Sequence, residues 1–180
     1  MQEKKRSRTR SRWLLPAALV LAGAAWFENF TLSTSTVTVS SAALPEAFSG
    51  LRIVQISDLH GRVFGKDHTA LLAAVRKAEP DLIAVTGDLA DEDTALPTLR
   101  PLLEGLAALA PVFYVTGNHE WVISREVRRT LYDLLDLCGV IRLENDYRVL
   151  TRSGQSIVLA GVDDPNGPAD QKTAPELVQE

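Results

Sequence analysis

Apolar residues along this chain alternate between two spacings. Three short, nearly unbroken runs, Ile53-Val54-Gln55-Ile56-Ser57, Leu82-Ile83-Ala84-Val85-Thr86 and Val112-Phe113-Tyr114-Val115-Thr116, have the length and β-branched content of buried strands. After each, the spacing changes to that of one helix face: Leu71, Leu72, Val75 and Ala78, then Leu99, Leu102, Leu103, Leu106 and Leu109, then Val127, Leu131, Leu134, Leu135 and Cys138. Asp67 is read as the cap of the first helix, which ends before Pro80. The second stops before Pro111, and the third runs from near Ser124 to Gly139. This β-α-β-α-β-α order predicts an α/β fold with a mostly parallel sheet flanked by helices.

Val140–Leu143 resumes a strand, and Ser153-Gly154 between Tyr147–Arg152 and Ser156–Val162 predicts a hairpin. Ahead of the first run, Thr31–Ser41 alternates Ser or Thr with Leu and Val and reads as an edge-like strand. Near the other end, Thr173-Ala174-Pro175-Glu176 is a capping-box helix start with four residues after it. A single turn does not hold itself together, so the chain is read as truncated there.

The net charge of −4 conceals an asymmetry. Residues 1–12 hold six cations against Glu3, leaving −9 on the rest. So acidic a body argues against nucleic-acid backbone binding, which needs clustered cations. The basic stretch runs into fifteen uncharged residues, Trp13–Phe27, short of the roughly 20 that cross a bilayer comfortably. Residues 1–12 are read as a cytoplasmic segment, 13–30 as a signal-anchor or transmembrane segment, and 31–180 as the globular domain. That domain is then extracytoplasmic, either anchored or exported after cleavage near Ala22-Gly23-Ala24. Cys138 is the only cysteine and falls in a helix stripe, which makes it a core residue without a disulfide.

Each of the three strands ends in residues that bind metals: Asp58-Leu59-His60, Gly87-Asp88-Leu89-Ala90-Asp91 and Gly117-Asn118-His119-Glu120. Asp58, Asp88 and Asn118 lie thirty positions apart in turn, about one strand–helix–strand unit. Parallel strands would gather all three at the carboxyl edge of the sheet, where open α/β sheets bind ligands. Carboxylate, imidazole and amide together suit Mn, Fe or Zn better than Mg. Of the neighbours, Glu120 reads as support for its loop, Asp91 as a cap or an outer partner of the site, and His68 as a surface residue beside the helix cap. Asp163 and Asp164 read as a turn into Pro165. A dinucleotide fold is disfavoured, since these loops lack Gly-x-Gly-x-x-Gly.

The three motifs, in this order, resemble the calcineurin-like metallophosphoesterases. Gly50-Leu51-Arg52-Ile53-Val54-Gln55-Ile56-Ser57-Asp58-Leu59-His60 resembles their membrane-associated bacterial phosphodiesterase branch. The resemblance implies an αββα sandwich, of which this chain would carry the N-terminal βαβαβ half behind an apolar anchor helix. It implies two divalent ions, with Asp58 and His60 on the first, Asp88 bridging, and Asn118 on the second. His119 would face the substrate as the catalytic group. The implied reaction is water-driven phosphoester or pyrophosphate hydrolysis, and similar anchored proteins include hydrolases of UDP-2,3-diacylglucosamine, a lipid A precursor. Members also contribute later histidines, whereas His119 is the last in this sequence. The expectation is therefore that these 180 residues alone are weakly active or inactive; the alternative reading is a non-catalytic module holding at most one metal.

Overall fold

The computed structural model describes residues 14, 16, 32–167 and 172–179. Four strands, β1 (Ile53–Ile56), β2 (Leu82–Thr86), β3 (Val112–Val115) and β4 (Ile141–Arg142), form one sheet in the spatial order of the sequence. Every neighbouring pair is parallel. Helices α1 (Thr69–Ala78), α2 (Arg100–Ala107) and α4 (Arg125–Leu137) link them, and a short α3 (Asn118–Val122) follows β3 directly. The observed fold is thus a mixed α/β fold on a parallel sheet.

Side chains alternate across a strand, so each face of the sheet can be read separately. On one face Leu82 and Phe113 form a cluster with Leu143, joined by Leu51, Val115, Ile141, Leu150 and Leu159. Leu150 and Leu159 belong to an antiparallel hairpin of β5 (Asp146–Arg152) and β6 (Gln155–Gly161), whose inward residues therefore cover this face. On the other face Ile83, Val85, Val112 and Tyr114 are equally buried, as two-sided coverage of a parallel sheet requires. The leucine stripes are buried as their period demands: Leu99, Leu102, Leu103, Leu106, Leu131 and Leu135 are all inaccessible to solvent.

The hairpin turn is Ser153-Gly154, both with positive φ, the two-residue geometry that matches strand twist. Ser124 caps α4 by accepting the Val127 N–H at 3.2 Å. Cys138 is buried at the end of α4. Burial pushes its thiol pKa up, which suits an inert core residue. Helix α5 (Ala174–Gln179) opens as the capping box predicts, with Glu176 Oε2 accepting the Thr173 N–H at 2.7 Å. It forms despite its length because Leu177 is buried, so tertiary packing supplies what one turn lacks.

Several local expectations are corrected. Residues 32–40 form no strand, and Val37 and Val39 are 81% exposed, because among the described residues no neighbouring backbone supplies a ladder. Asp67 is not the cap of α1: it lies at φ 52° inside a 3₁₀ turn, Lys66–His68, and no side chain caps the helix. His68, expected at the surface, is fully buried, with Nε2 3.2 Å from the Thr98 carbonyl. The proposed anchor, residues 13–30, lies outside the described residues apart from Leu14 and Pro16; among the described residues no helix is long and apolar enough to cross a membrane.

Candidate metal centre

Register explains why the three motifs meet. Ile56 pairs with Val85 and Thr86 with Val115, so Asp58 falls beside Gly87 and Asp88 beside Gly117. The backbones stay laced beyond the strands. Asp58 N–H reaches Gly87 O at 3.3 Å, His60 N–H reaches Asp88 O at 2.8 Å, and Gly61 N–H reaches Leu89 O at 2.9 Å.

Both glycines permit this approach. A Cβ on Gly87 would sit 2.5 Å from the N and Cα of Gly117, and one on Gly117 would sit 2.6 Å from the Asp88 N. Gly87 also has φ +81°, where a side chain is strained. Three candidate ligands adopt left-handed backbone without being glycine: Asp58 (φ 55°), His60 (φ 48°) and Asp88 (φ 51°). Strain of this kind, of order 1–3 kcal/mol per residue, persists where the surroundings over-determine it and gathers at functional sites.

Glu120 holds the framework. It is fully buried in α3, and its carboxylate accepts four backbone N–H groups from two loops. Oε2 takes Gly117 at 2.7 Å and Asp88 at 2.9 Å; Oε1 takes Leu89 at 2.8 Å and Ala90 at 3.1 Å. Four donors give the buried charge the partners it needs. The reading of Glu120 as loop support anticipated its role but not its reach, since the partner loop is thirty residues away.

The donor atoms of His60, Asp88 and His119 lie within 4.8 Å of one another. The two imidazoles meet edge to face with centroids 4.5 Å apart. Asp88 Oδ1 also accepts the backbone N–H of His119 at 2.9 Å, which fixes the carboxylate against the start of α3. Asp58 stands outside this trio; its Oδ2 accepts the Ser57 hydroxyl at 2.5 Å, and its side chain is exposed. Asn118 opens α3 with its side chain exposed. The structure therefore brings His60 and Asp88 together, adds His119 to them, and leaves Asp58 outside the trio at the same edge.

Asp91 lies close enough to feel both rings. The Thr94 hydroxyl, donating at 2.6 Å, is the main cause of its lowered pKa, and the charges of His60 and His119 pull in the same direction. It stays ionised beside the imidazoles. Thr116, which sequence reasoning passed over, and Asp163, which it read as part of a turn, fix the far side of the motif. Thr116 Oγ1 donates to Asp163 Oδ1 at 2.8 Å and accepts the Trp121 indole N–H at 3.1 Å. Asp163 follows β6, so this bond ties the hairpin to the residue preceding Gly117. Nothing in the local pattern signals a contact across 47 positions.

A profile of the family described as calcineurin-like phosphoesterase matches residues 51–173. A zebrafish transmembrane protein with metallophosphoesterase domain is 30% identical over 71% of this chain and 30% of its own length. Its bovine counterpart is 33% identical over 73% of the chain and 31% of its own length. The uncharacterized metallophosphoesterase YkoQ of Bacillus subtilis is 27% identical over 74% of the chain and 50% of its own length. The chain thus spans about a third to a half of the length of these relatives. Among solved structures, a phosphopantetheinyl hydrolase from Mycobacterium tuberculosis aligns with a TM-score of 0.46 and 24% identity, over 62% of this chain and 42% of that one.

Proposed function

This chain belongs to the calcineurin-like phosphoesterase family, and from that premise we propose that it carries the metal-binding core of a hydrolase acting on phosphodiester or phosphoanhydride bonds. The observation that carries the reading is the convergence of His60, Asp88 and His119 on one point at the carboxyl edge of the sheet. Two imidazoles and a carboxylate, with Asp58 and Asn118 on the adjoining loops, fit a divalent ion of the Mn, Fe or Zn class. In the working enzyme Asp58, His60, Asp88 and Asn118 would hold the divalent metal. Such ions supply Lewis-acid charge for the phosphoryl oxygens and make water acidic enough to be deprotonated near neutral pH.

The protein's own groups do the rest. Glu120 and the two glycines fix the loops, so little reorganisation is needed when charge develops. His119, anchored through its N–H to Asp88, presents its ring toward the leaving oxygen and donates the proton carried on a ring nitrogen.

The test is hydrolysis of a bis-aryl phosphate with added Mn²⁺ by the full-length protein. Turnover that disappears with a chelator and in Asp88→Asn supports the reading; turnover indifferent to both contradicts it.

The reading extends to location. Six cations followed by fifteen uncharged residues support residues 13–30 as an N-terminal anchor with the domain on the far side of the membrane. Recovery of the protein from membranes only with detergent would agree, and release by alkaline carbonate would not.

A further inference from the structure

We propose that Arg128 is a substrate-binding residue that takes a second phosphate beside the scissile one, so that the site prefers diphosphate substrates to simple phosphodiesters. The inference rests on the metal-centre reading above and names the substrate class that centre serves. Arg128 lies outside the three metal-binding motifs, on α4, yet two contacts fix its guanidinium against α3. It stacks over the Trp121 ring, 4.4 Å from the centroid, and Nη1 donates to the Glu120 carbonyl at 3.1 Å. Trp121 is held in turn, since its indole N–H donates to Thr116 Oγ1 at 3.1 Å. One stacked face and one hydrogen bond leave most of the guanidinium's N–H groups unused, in the planar fork that matches two oxygens of a phosphate.

Arg142 shows the same stacking in a structural role. It lies over the Tyr132 ring at 4.4 Å, but Asp136 and Glu144 both pair with its charge. Among the described residues no carboxylate pairs with Arg128. Residues 13–180 carry a net charge of −9, so an oriented cation left without an anion is an exception in this body. Such an arginine is suited to an anion from outside. Its place selects the anion. Asn118 and Trp121 are three positions apart in α3 and share one face, about 5–6 Å between Cβ atoms. The Trp121–Arg128 platform therefore flanks a candidate metal ligand, and the group within its reach is the one attached to the phosphoryl centre. A simple phosphodiester has no charge there, whereas a diphosphate carries its second phosphate at that position.

The test compares inhibition of bis-aryl phosphate hydrolysis by inorganic pyrophosphate and by orthophosphate, with the full-length protein at fixed free Mn²⁺. The wild type should favour pyrophosphate. The ratio of the two inhibition constants should fall by about tenfold or more in Arg128→Ala, as expected for loss of a charge-assisted contact. Arg128→Gln retains a donor for the Glu120 carbonyl and should lose the ratio as well, which keeps the test decisive if the alanine variant fails to fold. Arg128→Lys should keep part of it, as a charge without the fork. Arg129→Ala removes an exposed neighbouring cation and should keep the ratio. A merely structural arginine would weaken both inhibitors alike, so a wild-type ratio in the Arg128 variants overturns the inference while the metal centre stands. Equal losses in Arg128→Ala and Arg129→Ala, or a wild type that does not favour pyrophosphate, overturn it too. A wild type without metal-dependent turnover removes the metal-centre reading and this inference with it.

Discussion

Glu120 Oε2 accepts the backbone N–H of Asp88 at 2.9 Å, so a side chain on the loop after β3 sets the position of a candidate ligand on the loop after β2. Three further N–H groups, of Leu89, Ala90 and Gly117, share that carboxylate. Glu120→Ala should cost about 3 kcal/mol or more, because it strands four backbone donors, two of them fully buried. For a domain of this size the melting temperature should fall by roughly 6–12 °C. Glu120→Gln should lose less stability yet still weaken metal binding, since its amide turns donors toward donors. Thermal unfolding and metal titration of both variants check this.

Gly87→Ala should separate the loops. Its Cβ meets Gly117 backbone at 2.5 Å, in addition to the strain of φ +81°. Gly139 has a similar φ of +75° but open space around it, so Gly139→Ala carries the conformational cost alone. Both variants should lose about 1–2 kcal/mol from backbone strain. Gly87→Ala alone should also lose metal affinity, by about tenfold or more. Equal affinities in the two would remove the close approach from the account.

Thr116→Val should loosen the hairpin. The substitution takes the hydroxyl from the buried Asp163 carboxylate and from the Trp121 indole, at a cost of about 2 kcal/mol. Hydrogen exchange should quicken across 146–161 while the amides of β2 keep their protection.

His68 predicts a pH dependence. Desolvation lowers its pKa from the ordinary value of 6.5, against the weaker opposing effects of the Thr98 carbonyl and the Asp67 charge. The native state thus binds the proton less readily than the unfolded chain. Stability from this group is present above the unfolded pKa and is lost as pH falls from there through the folded pKa. Between pH 7.5 and pH 5 the denaturation midpoint should fall, and His68→Gln should show a smaller fall. Parallel pH profiles would count against the burial of a neutral imidazole.

Much of this was legible in the sequence. Strand runs, leucine stripes and the Ser153-Gly154 turn are local signals, and residues Ile53, Leu102 and Leu150 follow them. The thirty-residue rhythm placed Asp58, Asp88 and Asn118 at one sheet edge, because adjacent parallel strands in sequence order must deliver them there. What stayed hidden depends on partners far away in the chain. Val37 and Val39 alternate like a strand, but alternation does not provide a neighbour to pair with. His68 looks like a helix-cap neighbour, and only the left-handed turn at Asp67 and His68 carries it inward against Thr98. The same applies to Glu120 and to Thr116 with Asp163, whose bonds join loops that no local pattern connects.

The most direct test is the divalent metal retained after equilibrium dialysis against Mn²⁺ or Zn²⁺, comparing wild type with Asp88→Asn. Asp88 ties three parts of the site together: the His60 loop through its carbonyl, His119 through Oδ1 and Glu120 through its N–H. The account predicts at least one bound ion per wild-type chain and its loss in the variant, with unfolding curves that still overlap. Equal metal in both proteins would contradict it.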